Sequence, residues 1–214
     1  MKRMGILVAL AVGAAAPASA QLIGMPVWNS PTGGTGLTIS GDYGKPNDNA
    51  GSGSAFGGRA SLGLGTLTIT AGLASDKPSG GSSLTSYGGD VAFRVIGGPL
   101  VPVKINIQGG AAHASSSGVG YTHLTGAVGI GVTLPMPGIS IEPYISPGIR
   151  YSKVGASGLF PGASSTNFGF AIGANVGFGM LGIHLAYDYT KVSGGSLGIF
   201  GIGAHLALKV PMGM

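Results

Sequence analysis

Beyond residue 21, apolar and polar residues alternate with a period of two along most of the chain, and glycine, proline, serine and asparagine interrupt the alternation. This alternation is typical of β-strands with one apolar face, and helical spacing of the apolar residues is absent. After an irregular N-terminal segment at 21–34, the pattern predicts a barrel over 35–210. The predicted strands lie near 35–44, 54–64, 66–75, 87–97, 101–112, 121–134, 139–152, 166–179, 182–190 and 198–210.

The connections between these strands alternate between short and long. Short turns are predicted near 65–66, 97–99, 135–138 and 180–181, and longer polar loops at 45–53, 76–86, 113–120, 153–165 and 191–196. This asymmetry is typical of bacterial outer-membrane barrels, which have short periplasmic turns and longer external loops. The sequence therefore predicts an all-β, transmembrane, antiparallel up-and-down barrel of ten strands. A barrel of eight strands with an additional hairpin is the alternative.

Charged residues within the predicted strands fall on the face opposite to the apolar residues. In the fourth strand, Val91 and Phe93 share one face while Asp90 and Arg94 take the other. A lipid-facing Arg or Lys costs roughly 2–4 kcal/mol at the bilayer midplane, so the polar face is predicted to line the lumen. The predicted lumen network consists of Arg59, Asp90, Arg94, Lys104, Glu142, Tyr144, Arg150, His184, Asp188 and His205.

This network has two possible roles. Its ion pairs could fill and close the lumen, or they could line a narrow path for ions or small polar solutes. Small barrels have an interior just wide enough for side chains, which favours the closed form.

Aromatic residues cluster at the strand ends that adjoin the longer loops. Amphipathic rings sit favourably at the level of the lipid headgroups, so these positions predict the outer aromatic girdle of a membrane barrel. The predicted girdle consists of Tyr43, Phe56, Tyr87, Tyr151, Phe168, Tyr187 and Tyr189.

Composition supports a β-protein that is apolar on average. Glycine accounts for 44 of 214 residues, charged residues for 8%, and the mean hydropathy is +0.44. Disordered chains are poor in apolar residues and rich in net charge, so intrinsic disorder is excluded. Stretches such as 37–40 and 103–107 break the strict three-residue glycine period of collagen. Many glycines fall on the inward parity, where we expect them to leave space for larger lumen side chains.

The first twenty residues have the features of a secretory signal peptide. Lys2 and Arg3 precede an apolar run, and Ala18-Ser19-Ala20 predicts cleavage after Ala20. Removing Lys2 and Arg3 from a formal net charge of +5 leaves +3. This mild charge, without a basic run, does not favour nucleic acid. The absence of cysteine excludes disulfides and thiolate metal sites.

Two segments carry a resemblance to a known family. Ile141-Glu-Pro-Tyr-Ile-Ser-Pro-Gly-Ile-Arg-Tyr151, followed by the glycine-alternating strand at 167–178, resembles the small bacterial outer-membrane β-barrel proteins of the OmpA/OmpX/OmpW type. The resemblance implies an outer-membrane location and a barrel of eight or ten strands. The family includes adhesins, narrow channels and enzymes, so it assigns no activity. Its members usually end on an aromatic residue, whereas this chain ends in a predicted tail at 211–214.

The sequence thus predicts a monomeric, non-enzymatic protein of the bacterial outer membrane with an envelope-structural or surface-interaction role. Membrane lipid and the barrel-insertion machinery are the expected partners, and no metal or cofactor is expected because the four histidines lack metal-ligand spacing. A narrow channel or carrier for small or hydrophobic solutes is the alternative. A further alternative is an enzyme acting on lipid or peptide. Its candidate element is His113-x-Ser115, which is similar to the His-Ser element of barrel-form lipid A deacylases. The last alternative is a soluble exported β-protein.

Overall fold

The computed structural model describes residues 22–28, 30–31, 34–98, 101–158 and 161–208. The predicted signal peptide, the predicted tail at 211–214 and the last two residues of the predicted barrel lie outside this range. Within it, no helix is long and apolar enough to cross a bilayer. The elements are β1 (Thr35–Pro46), a 3₁₀ turn (Asp48–Ala50), β2 (Ser54–Leu64), β3 (Leu67–Lys77), β4 (Leu84–Gly98), β5 (Val101–Ser116), β6 (Val119–Val132), β7 (Leu134–Met136), β8 (Ile139–Val154), β9 (Ala163–Phe178), β10 (Leu181–Val192) and β11 (Gly195–Leu208).

The strands form one closed antiparallel barrel. Apart from β6 and β7, each strand pairs with its neighbour in sequence, and β1 pairs with β11 to close the sheet. The short β7 continues β6 beyond Thr133, and both pair with β8, so the eleven segments occupy ten barrel positions. The predicted ten-stranded up-and-down barrel is therefore confirmed, and the barrel has ten strands rather than eight.

The two ends of the barrel differ. At the terminal end, where β1 begins and β11 ends, the connections described in full are two-residue turns, at 65–66, 137–138 and 179–180. At the opposite end, called the loop end below, the connections span 47–53, 78–83, 117–118, 155–162 and 193–194. Two loops predicted to be long, at 113–120 and 191–196, are thus tight hairpin turns. The backbone has positive φ at both Ser117 and Gly118, as a type I′ hairpin turn requires.

Apolar side chains cover the outside of the barrel. Alternate residues of each strand are exposed and apolar, and their neighbours point inward, as the period of two requires. The exposed large side chains include Ile39, Leu62, Ile69, Val91, Phe93, Ile107, Val128, Ile145, Ile172, Ile183, Leu185 and Ile202.

The ladder between β6 and β8 is interrupted opposite two prolines. Pro143 and Pro147 have no N–H to donate, and cross-strand pairing is missing opposite each of them while the register on either side is unchanged. The register shifts instead between β4 and β5, from Arg94 to Gly98.

The described part of the N-terminal segment lies inside the barrel. Leu22, Ile23, Met25 and Val27 are at most 1% exposed, and Trp28 is 8% exposed. Leu22 and Met25 form an apolar cluster with the inward-facing alanines of β2 and β3, Ala55 and Ala74. The lumen of this barrel is therefore filled in part by the chain that precedes its first strand.

Candidate functional site in the lumen

A buried ionic cluster joins β1, β2, β10 and β11. Arg59 Nε lies 2.6 Å from Asp42 Oδ2 and Arg59 Nη2 lies 3.2 Å from Asp42 Oδ1, which makes a two-pronged pair. His184 Nε2 lies 2.6 Å from the same Asp42 Oδ1. These side chains meet because Asp42 stands directly opposite Gly203, which in turn stands opposite His184. A side chain at Gly203 would occupy the space that the Asp42 and His184 side chains fill.

His184 connects Asp42 to the second histidine of the cluster, His205. Its Nε2, beside Asp42, also lies 3.2 Å from Arg59 Nη2, and its Nδ1 lies 3.2 Å from His205 Nδ1. The two rings stack with centroids 5.5 Å apart. The result is a chain of contacts from Arg59 through Asp42 and His184 to His205, with one acidic group at its centre.

A second ion pair joins β8 and β10. Arg150 Nη2 is 3.3 Å from Asp188 Oδ2, and both side chains are fully or almost fully buried. The same carboxylate oxygen accepts a hydrogen bond from the Val27 amide at 3.1 Å. Asp188 therefore connects the barrel wall to the segment inside it.

The remaining predicted lumen residues are Lys104, Glu142, Asp90, Arg94 and Tyr144. Lys104 Nζ lies 3.5 Å from Glu142 Oε1, which also accepts from the Thr133 hydroxyl, near the terminal end. Asp90 is cross-strand from Thr70, and Arg94 is cross-strand from Asn106 at the start of the β4 irregularity. Tyr144 is buried against Gly173.

The predicted girdle aromatics share a level of the barrel. Each lies at the third to sixth residue from the loop end of its strand. Phe56, Tyr87, Phe168 and Tyr187 are exposed, whereas Tyr43, Tyr151 and Tyr189 are partly buried. Tyr43 packs on Phe56 with ring centroids 5.0 Å apart, and Tyr189 stacks on Phe170 at 5.2 Å.

Trp28 is the largest side chain of the lumen segment and lies against the ionic cluster. Its ring meets His184 edge-on, with centroids 4.5 Å apart, and the Arg59 guanidinium carbon lies 5.2 Å from its ring centroid. A cation near an aromatic face is attracted to the ring quadrupole, and the attraction is stronger away from water. Further along the segment, the Ile23 amide donates to Ser86 Oγ at 3.1 Å.

Glycines of the wall make room for this segment. A Cβ at Gly201 would lie 2.5 Å from Pro26 Cγ and 2.9 Å from Trp28 Cη2. At Gly131 it would lie 2.6 Å from Pro31 Cγ, and at Gly44 it would collide with the Gly24 carbonyl. Inward glycine was expected to leave space for lumen side chains, and at these three positions the occupant is the N-terminal segment.

Below Trp28, toward the terminal end, the lumen contains a polar cavity of about 300 Å³. Trp28 forms part of its lining on one side, and Gly34, Gly36 and Gly63 extend the lining to the terminal rim. Its polar lining includes Arg59, Asp90, Gln108, Glu142, His184 and His205. Within the described residues, no three His, Asp or Glu side chains are arranged to hold a metal ion.

Sequence reasoning did not identify Asp42 and Trp28. Asp42 falls within the predicted first strand and shares the inward parity of Thr38 and Ser40, so parity was a sufficient signal for it. Trp28 belongs to a segment without periodicity, and no pattern in that segment indicates a place inside the lumen.

The chain resembles known proteins in fold. No protein-family model and no curated protein matches it. Among solved structures, the β-domain of the Bordetella autotransporter BrkA matches with a TM-score of 0.52 and 11% identity, over 80% of this chain and 98% of that one. The N-terminal β-barrel domain of Pseudomonas aeruginosa OprF and Neisserial surface protein A match with TM-scores of 0.39 and 0.41, each at 10% identity over 83% of this chain and 100% of the other. Such low identity shows the barrel fold alone.

Proposed function

We propose that this protein is a monomeric integral β-barrel of the bacterial outer membrane, exported by a cleaved signal peptide, without enzymatic activity. In its resting form the lumen is closed, and the protein serves envelope structure or surface interaction through its loop end. Its partners are outer-membrane lipid and the barrel-insertion machinery. The observation that carries the proposal is the apolar exterior around a charged interior.

That arrangement is the reverse of a soluble barrel, in which the apolar residues point inward. The side chains of Phe93, Ile107 and Ile172 are at least half exposed, whereas Arg150 and Asp188 are buried. Exposing so much apolar surface to water is unfavourable, and covering it with lipid removes that cost. The exposed aromatics near the loop end fit the headgroup level of such a bilayer.

Fractionation and gel migration test this location. We expect the protein in the outer-membrane fraction, extracted only by detergent, and we expect it to migrate faster on a gel when it is not boiled. A protein that remains soluble without detergent would contradict the proposal.

The filled lumen supports a role other than open conduction. Leu22–Trp28 occupies the interior, and the ionic cluster of Asp42, Arg59, His184 and His205 lines the wall beside it. Purified protein in planar bilayers is expected to lack the steady conductance of an open porin.

A narrow channel or carrier is the second candidate function, and the polar cavity at the terminal end favours it. The cavity could admit a small hydrophilic solute from that end. Binding of a solute in the cavity would be seen as a change in the fluorescence of Trp28, the only tryptophan of the chain.

The enzyme alternative rests on His113-x-Ser115, the candidate from sequence. His113 Nδ1 lies 3.1 Å from Thr122 Oγ1, and its ring lies 5.7 Å from the ring of Tyr87, so both contacts are with neighbouring strands of the wall. We expect His113→Ala to leave the acylation pattern of lipid A unchanged. A lost deacylated species in cells carrying this variant would contradict the non-enzymatic role.

A further inference from the structure

We infer that the lumen segment Leu22–Trp28 is a releasable plug, and that its withdrawal opens a polar pathway through the barrel for small hydrophilic solutes and ions. The inference rests on the proposed outer-membrane location. It goes beyond that proposal because it assigns a second, conducting state to a barrel that is closed at rest.

The plug is not part of the barrel wall. The strand ladder closes between β1 and β11 without it, and the described residues of the plug pair with no strand. Its contacts with the wall include two backbone hydrogen bonds to side chains, from Ile23 to Ser86 and from Val27 to Asp188. It is connected to the first strand at the terminal end, through the chain that leads to Thr35. Withdrawal therefore leaves every strand pair intact.

Besides the alanines that pack on the plug, the wall that faces the lumen carries buried polar groups without partners. Arg150 is fully buried, and its Nε and Nη1 atoms have no hydrogen-bond partner among the described residues. The buried Nε2 of His123, on the inward face of β6, also has no hydrogen-bond partner among the described residues. Polar groups buried without partners raise the free energy of the state that buries them. Water entering behind a departing plug would satisfy these groups, so the closed state carries a cost that the open state lacks.

The polar cavity and the plug lie end to end along the lumen. The polar cavity reaches from the terminal rim to Trp28, and the plug continues from Trp28 toward Ile23, which lies beside Ser86 near the loop end of β4. Trp28 therefore separates the cavity from the space that the rest of the plug fills. Both acids and bases line this route, including Arg59, Asp90 and Glu142, so it suits neutral hydrophilic solutes and small ions of either sign.

A reversible crosslink tests the inference, because the chain has no cysteine of its own. In the variant Ile23→Cys with Ser86→Cys, oxidation should fix the plug against β4, since the Ile23 amide already contacts Ser86. The matched control is Ile23→Cys alone, which cannot form this bridge. A third variant replaces residues 22–28 with seven alternating Gly and Ser residues, which keeps the length of the segment and removes its packing.

The measurement is potassium chloride conductance in planar bilayers. We expect brief openings of the unmodified protein and of the single-cysteine control, loss of openings in the oxidised double-cysteine variant, and their return on reduction. The Gly-Ser variant should remain open for much longer than the unmodified protein. The inference is overturned if the unmodified protein shows no opening that the oxidised variant lacks. It is also overturned if a folded Gly-Ser variant conducts no more than the unmodified protein.

Gel migration separates this inference from the proposed function. Each variant that migrates faster when unboiled contains a folded barrel, so its conductance reports on the plug. If the unmodified protein itself shows neither this migration nor detergent-dependent extraction, the membrane-barrel proposal fails. That failure is independent of whether the plug can be released.

Discussion

Asp42 is the residue on which the buried cluster depends, because it is the only acid in contact with both Arg59 and His184. We expect Asp42→Asn to destabilise the barrel by about 3–5 kcal/mol, since it leaves Arg59 buried without its partner. The free energy of unfolding in urea, measured in lipid vesicles, would show the loss.

Glu142→Gln is the matched control for this change. Its pair with Lys104 is longer, at 3.5 Å, and both side chains retain some exposure near the terminal end. Such a pair contributes little, so we expect a loss of about 1 kcal/mol or less. Equal losses of unfolding free energy in the two variants would show that the buried Asp42 cluster stabilises the barrel no more than the Lys104–Glu142 pair does.

Adding one methyl group at Gly201 tests how closely the plug packs against the wall. We expect Gly201→Ala to displace Trp28 and Pro26, because the added Cβ would overlap both. The emission of Trp28 should shift to longer wavelength and be quenched more readily by acrylamide. Gly41→Ala is the control, because a Cβ there meets nothing within 4 Å and should leave the emission unchanged.

At the scale of the elements, strand positions were predictable and loop lengths were less so. The period of two locates the strands because one face of each is apolar, as in Val103, Ile105 and Ile107 of β5. The ends of β5 and β6 carry small polar residues on both faces, such as Ser115 and Gly120, so parity gives no signal although pairing continues. For this reason the tight turn at Ser117-Gly118 was predicted as a long loop.

The lumen segment could not be predicted for a different reason. Strand parity shows which wall residues face inward, but not what they face. The inward glycines were the one available sign, since a Cβ at Gly44, Gly131 or Gly201 would collide with this segment. Only the three-dimensional path of the chain identifies the segment that fills this space.

The connections at the two ends make orientation testable. We expect an epitope tag inserted between Gly80 and Gly81, in the loop at 78–83, to bind antibody on intact cells. The same tag between Gly179 and Met180, in a terminal-end turn, should bind only after the outer membrane is permeabilised. The reverse pattern would place the terminal end outside, contrary to the barrel orientation expected from its loops.

For the whole molecule, the apolar exterior predicts that an introduced charge destabilises the barrel more the deeper it lies in the bilayer. Ile172 is exposed and lies midway along β9 between the exposed rings of Phe168 and Phe178. We expect Ile172→Arg to destabilise the barrel in lipid vesicles by about 2–4 kcal/mol. Leu181→Arg, next to Phe178 at the terminal rim, should cost only about 0–1 kcal/mol. Equal costs at both positions would show that no bilayer midplane lies at Ile172.

The plug also constrains the order in which this molecule is assembled. Val27 binds Asp188, 161 positions later in the chain, and Pro26 and Trp28 fit against Gly201 in the last strand. These partners are in place only when β10 and β11 have joined β1, and contacts so distant in sequence form late in folding. Two barrels with identical strand pairing can therefore differ in whether the first residues were enclosed. A preparation that appears fully folded by its strand content can still contain molecules that closed around an empty lumen.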